Sequence, residues 1–339
     1  MYCPRLNHFV RLNKNGSIGK CGHMNTSMGF ETVDQLEKSK WLQKIKNKMA
    51  NDEWPDECVR CKQTEEINQD SIRIKSIERH KVLQPFKDDY LVIGGVLDNI
   101  CNSACQTCNS GLSTKIGSLE SKDYPRIDNF VRFWELPQNR ILEIDVNGGE
   151  PTASKNYKKI LSRLPVNTRI VRMNTNGSRM IPELEAILKK RIMVIVTLSL
   201  DGVGDTHDYV RWPIKWKNYV KSVKAYKDLQ KQYPLLRLNT WTTVSSLNVA
   251  NFSSILDFVT EQNLEHSWAL LHEPKAYDPR FKNSFTIAAK EKLQKSSYKV
   301  CQDLANAIAT RENNDQQLNL LIKKQDFLRK IDIKNYLNF

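Results

Sequence analysis

Leu97-Asp98-Asn99-Ile100-Cys101-Asn102-Ser103-Ala104-Cys105-Gln106-Thr107-Cys108-Asn109 places three cysteines in the spacing C-x3-C-x2-C directly behind an apolar run. Three thiolates so spaced can hold an iron–sulfur cluster, which ordinarily takes four cysteines. With no fourth cysteine nearby, one iron is left for a small molecule to complete, and an open iron is a place for chemistry.

Working outward, the run at 91–97 is the first of six β-like segments, followed by 142–146, 168–173, 192–200, 237–244 and 267–271. Helical patterns at 127–134, 156–164, 181–190, 217–232 and 251–262 fall between them. A repeated strand–helix order demands a parallel sheet with right-handed crossovers. Six units are too few for a closed eight-stranded barrel, so the pattern predicts an α/β fold built as a partial (β/α)6 barrel of TIM type. Ligands in such folds sit beyond the carboxyl ends of the strands.

Each of those ends carries something. The first runs into the cysteine triplet. The second ends in Asn147-Gly-Gly-Glu-Pro151, where Gly148 and Gly149 permit close backbone approach and Glu150 can accept from a cation. The third ends in Asn174-Thr-Asn-Gly-Ser178 and the fourth in Ser199-Leu-Asp-Gly-Val-Gly204, where the period of two sets Ser199 and Asp201 on one side. Singly, each is an ordinary strand-ending turn; together, in this order, they are more.

Over residues 90–274 the chain resembles the radical S-adenosylmethionine (SAM) superfamily, on the cysteine triplet, Gly148-Gly-Glu-Pro151, Thr175-Asn-Gly177, and Ser199-Leu-Asp-Gly202 with Arg211 beyond it. The resemblance implies a [4Fe–4S] cluster on Cys101, Cys105 and Cys108, with S-adenosylmethionine chelating the fourth iron. It implies reductive cleavage to a 5′-deoxyadenosyl radical that abstracts hydrogen from a substrate, and a flavodoxin- or ferredoxin-type electron donor. By the same resemblance Gly148, Gly149 and Glu150 meet the methionyl amino group, Ser199 and Asp201 the ribose, and Arg211 the carboxylate. Thr107 departs from the aromatic residue often found beside the third cysteine, which puts an adenine contact there in doubt.

Four more cysteines, Cys3, Cys21, Cys58 and Cys61, lie near the N-terminus, the last two as C-x2-C. Their chemistry alone admits zinc or iron–sulfur. Beside a radical SAM core, the Cys3…Gly16-x4-Cys21 pattern resembles the hairpin of SPASM and Twitch domains. That implies an auxiliary [4Fe–4S] cluster acting as electron acceptor, here preceding the barrel. His23 reads as a hairpin-surface residue. The predicted organisation is therefore an iron–sulfur domain over 1–75, the barrel over 76–274 and a helical extension over 275–339, with a helical linker near 62–85. In the extension, 288–310 and 318–336 each read as one helix.

The 339 residues are 40% hydrophobic, enough for a substantial core. No run is long enough to span a membrane and the first residues lack a signal-peptide core, so the expected compartment is the cytoplasm, where eight clustered cysteines read as metal ligands, not disulfides. Fifty-two basic residues against thirty-eight acidic give a net charge of +14, which keeps a nucleotide or nucleic-acid substrate as an alternative to oxidation or crosslinking of a peptide. A non-catalytic zinc or iron–sulfur protein that binds nucleic acid is the alternative outside the enzymes. Cys301 reads as a small buried hydrophobe, while Asp205, His207, His272 and Glu273 follow strand ends and are minor candidates for acid–base work.

Overall fold

The computed structural model describes residues 1–25, 28–66, 70–120 and 123–337. Three residues of the expected 62–85 linker, 67–69, lie outside this set.

All six expected strands form, and two more precede them. In chain order they are β1 (Phe9–Leu12), β2 (Ile18–Gly19), β3 (Leu91–Asp98), β4 (Ile141–Gly148), β5 (Ile170–Thr175), β6 (Met193–Ser199), β7 (Leu236–Val244) and β8 (Glu265–Leu270). They build one sheet in the order β2-β1-β3-β4-β5-β6-β7-β8. Every pair from β1–β3 onward is parallel, and only β1–β2 is antiparallel. The sheet ends at β2 and β8 without closing, so the architecture is a partial barrel.

Why β1 was not anticipated is plain from its length. Phe9-Val-Arg-Leu12 is too short to be told from a loop, yet it lies in register with Val92–Gly95 of β3. The cysteine-rich N-terminal segment is thereby part of the barrel sheet. Gly95 makes the contact possible: a Cβ there would stand 2.2 Å from the Leu12 carbonyl oxygen.

Along β6 and β7 burial alternates residue by residue. The even positions, among them Val194, Val196, Leu236 and Leu238, are buried in one cluster with Leu184, Tyr226 and Ile255 of the crossover helices. Parallel strands covered on both faces are apolar throughout. Here the odd positions are only partly buried and include the polar Thr197, Ser199, Arg237, Asn239 and Thr243, on a concave face that stays partly open.

The C-terminal extension differs from its prediction in two places. The helix expected over 288–310 is two, Ser284–Gln294 and Lys299–Ala307. Between them the Ser296 hydroxyl accepts from Tyr298 N (3.2 Å), a side-chain bond that competes with continuing the helix. The helix expected over 318–336 runs from Asp315 to Arg329 and stops at Lys330, whose φ of 55° is left-handed. Asp326 secures the stop, its carboxylate accepting from Ile333 N at 2.9 Å and its carbonyl from Ile331 N at 3.1 Å. Among the described residues no helix is long and apolar enough to cross a membrane.

Candidate active site

The loop after β3 is held from three sides. Thr114 Oγ1 accepts from Cys101 N (3.1 Å), and Ala104 N and Gln106 N donate to the carbonyls of Trp212 (2.8 Å) and Val210 (2.9 Å). The third support comes from the far end of the chain. Arg329, 4% exposed, donates from Nε to Ala104 O (2.8 Å) and from Nη2 to Cys105 O (3.3 Å). Ser103 Oγ lies 3.2 Å from Cys101 Sγ and 3.6 Å from Cys105 Sγ. Burial pushes the Cys108 thiol up to about 12, with Cys105 adding repulsion, and burial raises Cys101 likewise. Thiols raised in this way, Cys101 and Cys108, resist ionising without a cation to receive them; a bound metal centre reverses that balance.

A cavity of about 190 Å³ opens over this loop. Its walls carry Cys101, Cys105 and Cys108, then Gly148, Gly149 and Glu150 from the end of β4, then Ser199 at the end of β6 with Asp201 just beyond it, and Arg211. Thus every residue of the triplet and of the implied SAM set faces one space. Thr107 also lines it.

The glycine pair works differently from its first reading. A Cβ on Gly148 would stand 2.0 Å from Asp98 O and one on Gly149 1.9 Å from Ile100 O. The close approach is therefore to the chain's own cysteine loop, where Gly149 N donates to Asp98 O (2.9 Å) and Glu150 N to Ile100 O (2.7 Å). Glu150 is 1% exposed and accepts from Thr152 N (3.0 Å), Thr152 Oγ1 (2.8 Å), Thr175 Oγ1 (2.9 Å) and Asn176 N (2.7 Å). Burial raises its carboxyl, and those hydrogen bonds oppose the rise. The side chain staples the end of β4 to the end of β5.

Asp201 and Arg211 form a buried pair, Nη1 to Oδ2 at 2.9 Å, with the other Asp201 oxygen accepting from Thr243 N at 2.8 Å. Despite burial the guanidinium is held above its ordinary value by Cys105 and Asp201. Its Nε has no hydrogen-bond partner among the described residues. A buried, unpaired donor on a cavity wall is a ready contact for an anionic group.

The other cysteine group also gathers. Cys3, Cys21, Cys58 and Cys61 line a single cavity with His23 and Arg73. Burial raises Cys3 to about 11 and Cys58 to about 12, and Cys3, Cys61 and Cys21 each push Cys58 further. A donor set of four sulfurs with no other ligand type suits zinc or an iron–sulfur centre. Among the described residues no three His, Cys, Asp or Glu side chains converge tightly enough to hold a single metal ion.

The minor candidates lie elsewhere. Glu273 is exposed and accepts from Lys275 N (3.2 Å), and His272 Nδ1 pairs with Arg280 Nη2 (2.6 Å). Cys301 is buried in the helix-side core. His207 is fully buried, its ring 4.8 Å from Tyr219 and 5.3 Å from Trp216, and neither ring nitrogen has a side-chain hydrogen-bond partner among the described residues. Burial and then Arg211 depress its pKa to about 3, against a weak opposing pull from the Gly202 backbone. The unfolded chain therefore binds this proton below pH 6.5 while the folded chain does not, and stability falls as pH falls. Linkage sets the loss at about 2 kcal/mol between pH 8 and pH 5. Denaturant unfolding of His207→Phe should lack that increment; an unchanged pH slope would contradict the assignment.

Sequence reasoning missed Arg329 and Asp326, which stand in a polar tail among many similar charges. It also missed Ser103 and Asn176, whose Nδ2 donates to Asn102 Oδ1 at 2.7 Å. Asn176 falls within Thr175-Asn-Gly177, a motif that marked the strand end without giving that side chain a role, whereas no local signal marks Arg329, Asp326 or Ser103.

Three comparisons bear on this geometry. The mycofactocin maturase MftC of Mycobacterium ulcerans is 30% identical over 131 residues, 38% of this chain and 33% of the maturase, so the chain spans about a third of that relative's length. A GTP 3′,8-cyclase of Mannheimia succiniciproducens is 21% identical over 235 residues, 67% of this chain and 68% of the cyclase. The crystal structure of Streptococcus suis SuiB superposes at a TM-score of 0.40 with 14% identity, over 96% of this chain and 69% of SuiB. The sequence model of the radical SAM superfamily matches residues 96–258, from the strand before the cysteine triplet to the helix after β7. Those residues, a little under half of the chain, form a radical SAM domain.

Proposed function

We propose that this protein is a radical SAM enzyme that modifies a peptide by oxidation or crosslinking. The carrying observation is the single cavity on which the three cysteines and all six residues implied for SAM binding converge. When bound, the cluster and SAM supply a 5′-deoxyadenosyl radical for hydrogen abstraction. Cys101, Cys105 and Cys108 hold the cluster, and the free Arg211 Nε receives the methionyl carboxylate. The backbone of Gly148 to Glu150 receives the amino group, since the Glu150 carboxylate is already satisfied by four internal donors. Ser199 and Asp201 border the ribose.

Cys3, Cys21, Cys58 and Cys61 would hold an auxiliary [4Fe–4S] cluster, which would supply an electron acceptor for the substrate, and the donor to the first cluster would be a flavodoxin or ferredoxin. Similarity to a maturase favours a peptide; similarity to a cyclase of GTP keeps a nucleotide as the second reading.

Anaerobically reconstituted, dithionite-reduced protein should form 5′-deoxyadenosine from SAM and carry about eight irons per chain. Replacing Cys3, Cys21, Cys58 and Cys61 by alanine should leave about four, and Cys101→Ala should end SAM cleavage. Zinc in place of the lost iron would reassign the N-terminal site, and absence of deoxyadenosine from iron-replete protein would remove the enzyme reading.

A further inference from the structure

The polar concave face of the sheet forms rows that the strand register aligns. Just below the cavity, Ser199 of β6 stands beside Trp241 of β7, and Trp241 beside Ser267 of β8. One row deeper come Thr197, Asn239 and Glu265; the next holds Arg172, Ile195 and Arg237. Ser199 and, two residues beyond Trp241 on the same face of β7, Thr243 line the cavity, which puts Trp241 at its edge.

Trp241 is 40% exposed; its carbonyl accepts from Leu200 N (2.8 Å), but among the described residues its indole makes no hydrogen bond, ring contact or cation–π contact. A bare indole on the inner face of a barrel has no packing role to account for it, and stacking a ligand against it recovers buried area. In the row beneath, Asn239 Oδ1 is buried without a partner, an acceptor that an N–H donor would satisfy. Deeper still, Arg237 is exposed and forms no ion pair among the described residues, whereas Arg172 and Arg79 are both engaged by Glu143, at 2.5 and 2.8 Å.

The charges on this face decide the ligand class. Arg79, Arg172 and Arg237 are offset by Glu143, Asp145 and Glu265, three against three, with Arg79 Nη2 also 2.9 Å from Asp145. A nucleoside triphosphate would find no net positive field there, only one free guanidinium. One carboxylate on an otherwise neutral chain matches it.

We propose that Trp241 and Arg237 select the substrate: an extended peptide segment that lays an aromatic or aliphatic side chain on the Trp241 indole, beside the SAM cavity, and carries one carboxylate down to Arg237. Four residues of strand separate the two, about 13 Å, the reach of about four extended peptide residues. Asn239 accepts from a peptide N–H between them. The inference rests on the peptide-modifying reading above and adds which residues choose the peptide.

The test uses the full, reconstituted chain labelled with fluorotryptophan. The Trp241 signal, one of seven, is the one absent from Trp241→Phe. Acetyl-Tyr-Gly-Gly-Glu-amide should shift that signal saturably. Its glutamine counterpart should bind about tenfold more weakly, the size of one charge-assisted hydrogen bond, and in Arg237→Gln the two peptides should differ less than about twofold. The proposal is overturned if the acidic peptide leaves the Trp241 signal unmoved, if its preference over the glutamine form survives in Arg237→Gln, or if GTP moves the signal at lower concentration than the peptide. Deoxyadenosine formation, assayed on the same sample, separately decides whether the chain cleaves SAM.

Discussion

Gly149→Ala is expected to lower SAM cleavage by at least about a hundredfold, because the added methyl has nowhere to go. Its carbon would lie 1.9, 2.3 and 2.8 Å from the carbonyl oxygen, carbonyl carbon and amide nitrogen of Ile100, all backbone atoms that no rotamer change can move aside. The loop from Ile100 and the turn from Gly149 must separate, which breaks the hydrogen bond from Glu150 N to Ile100 O and displaces Cys101, the next residue along. A misplacement of about 1 Å at a reacting centre costs about a hundredfold. Gly204→Ala is the control. Gly204 has a φ of +63° and nothing within 4 Å of an added Cβ, so alanine there costs about 1–3 kcal/mol of backbone strain without a collision. Deoxyadenosine formation and iron content measured on both variants check the contrast. Wild-type turnover in Gly149→Ala would refute the argument.

Arg329→Ala should cost about 3 kcal/mol of folding stability and speed loss of iron to a chelator. Removing the guanidinium strands the carbonyls of Ala104 and Cys105, each left with a desolvation penalty of about 1–3 kcal/mol. It also opens a cavity where the helix from Asp315 to Arg329 meets the cysteine loop. Arg329→Lys keeps the charge but cannot fork to two oxygens, and should recover less than half of the loss. Chemical denaturation of the three proteins, with iron release followed by absorbance, distinguishes these outcomes. Equal iron-release rates in Arg329→Ala and wild type would detach the C-terminal helix from the site.

Most of the barrel was legible because its evidence is local. Strands such as 192–200 and 237–244 declare themselves by composition and period, and both fall within a residue or two of β6 and β7. The cysteine triplet and the strand-end motifs were legible for the same reason: each is a short run whose chemistry requires fixed spacing. β1 was not, since four residues carry no period, and its place beside β3 depends on Gly94 and Gly95, 83 positions beyond their partners Arg11 and Leu12, leaving room for it. The break at Ser296 and the stop at Lys330 were missed because helical periodicity continues through both, while the side chains of Ser296 and Asp326 redirect the backbone.

The sequence by itself determined which atoms can do chemistry: three thiols in a loop, four more near the N-terminus, a glycine pair, an acid–arginine pair, and the order of strands that presents them. Tertiary structure alone decided what those residues face and what holds them. It turned the glycines toward the chain's own loop instead of a ligand, satisfied Glu150 internally, brought Arg329 across 225 positions to the carbonyl of Ala104, and left Trp241 bare beside the cavity. The division follows from range. Spacing along a chain encodes contacts within a turn or two, whereas burial, unsatisfied hydrogen bonds and exposed rings exist only once distant segments have taken up the surrounding space.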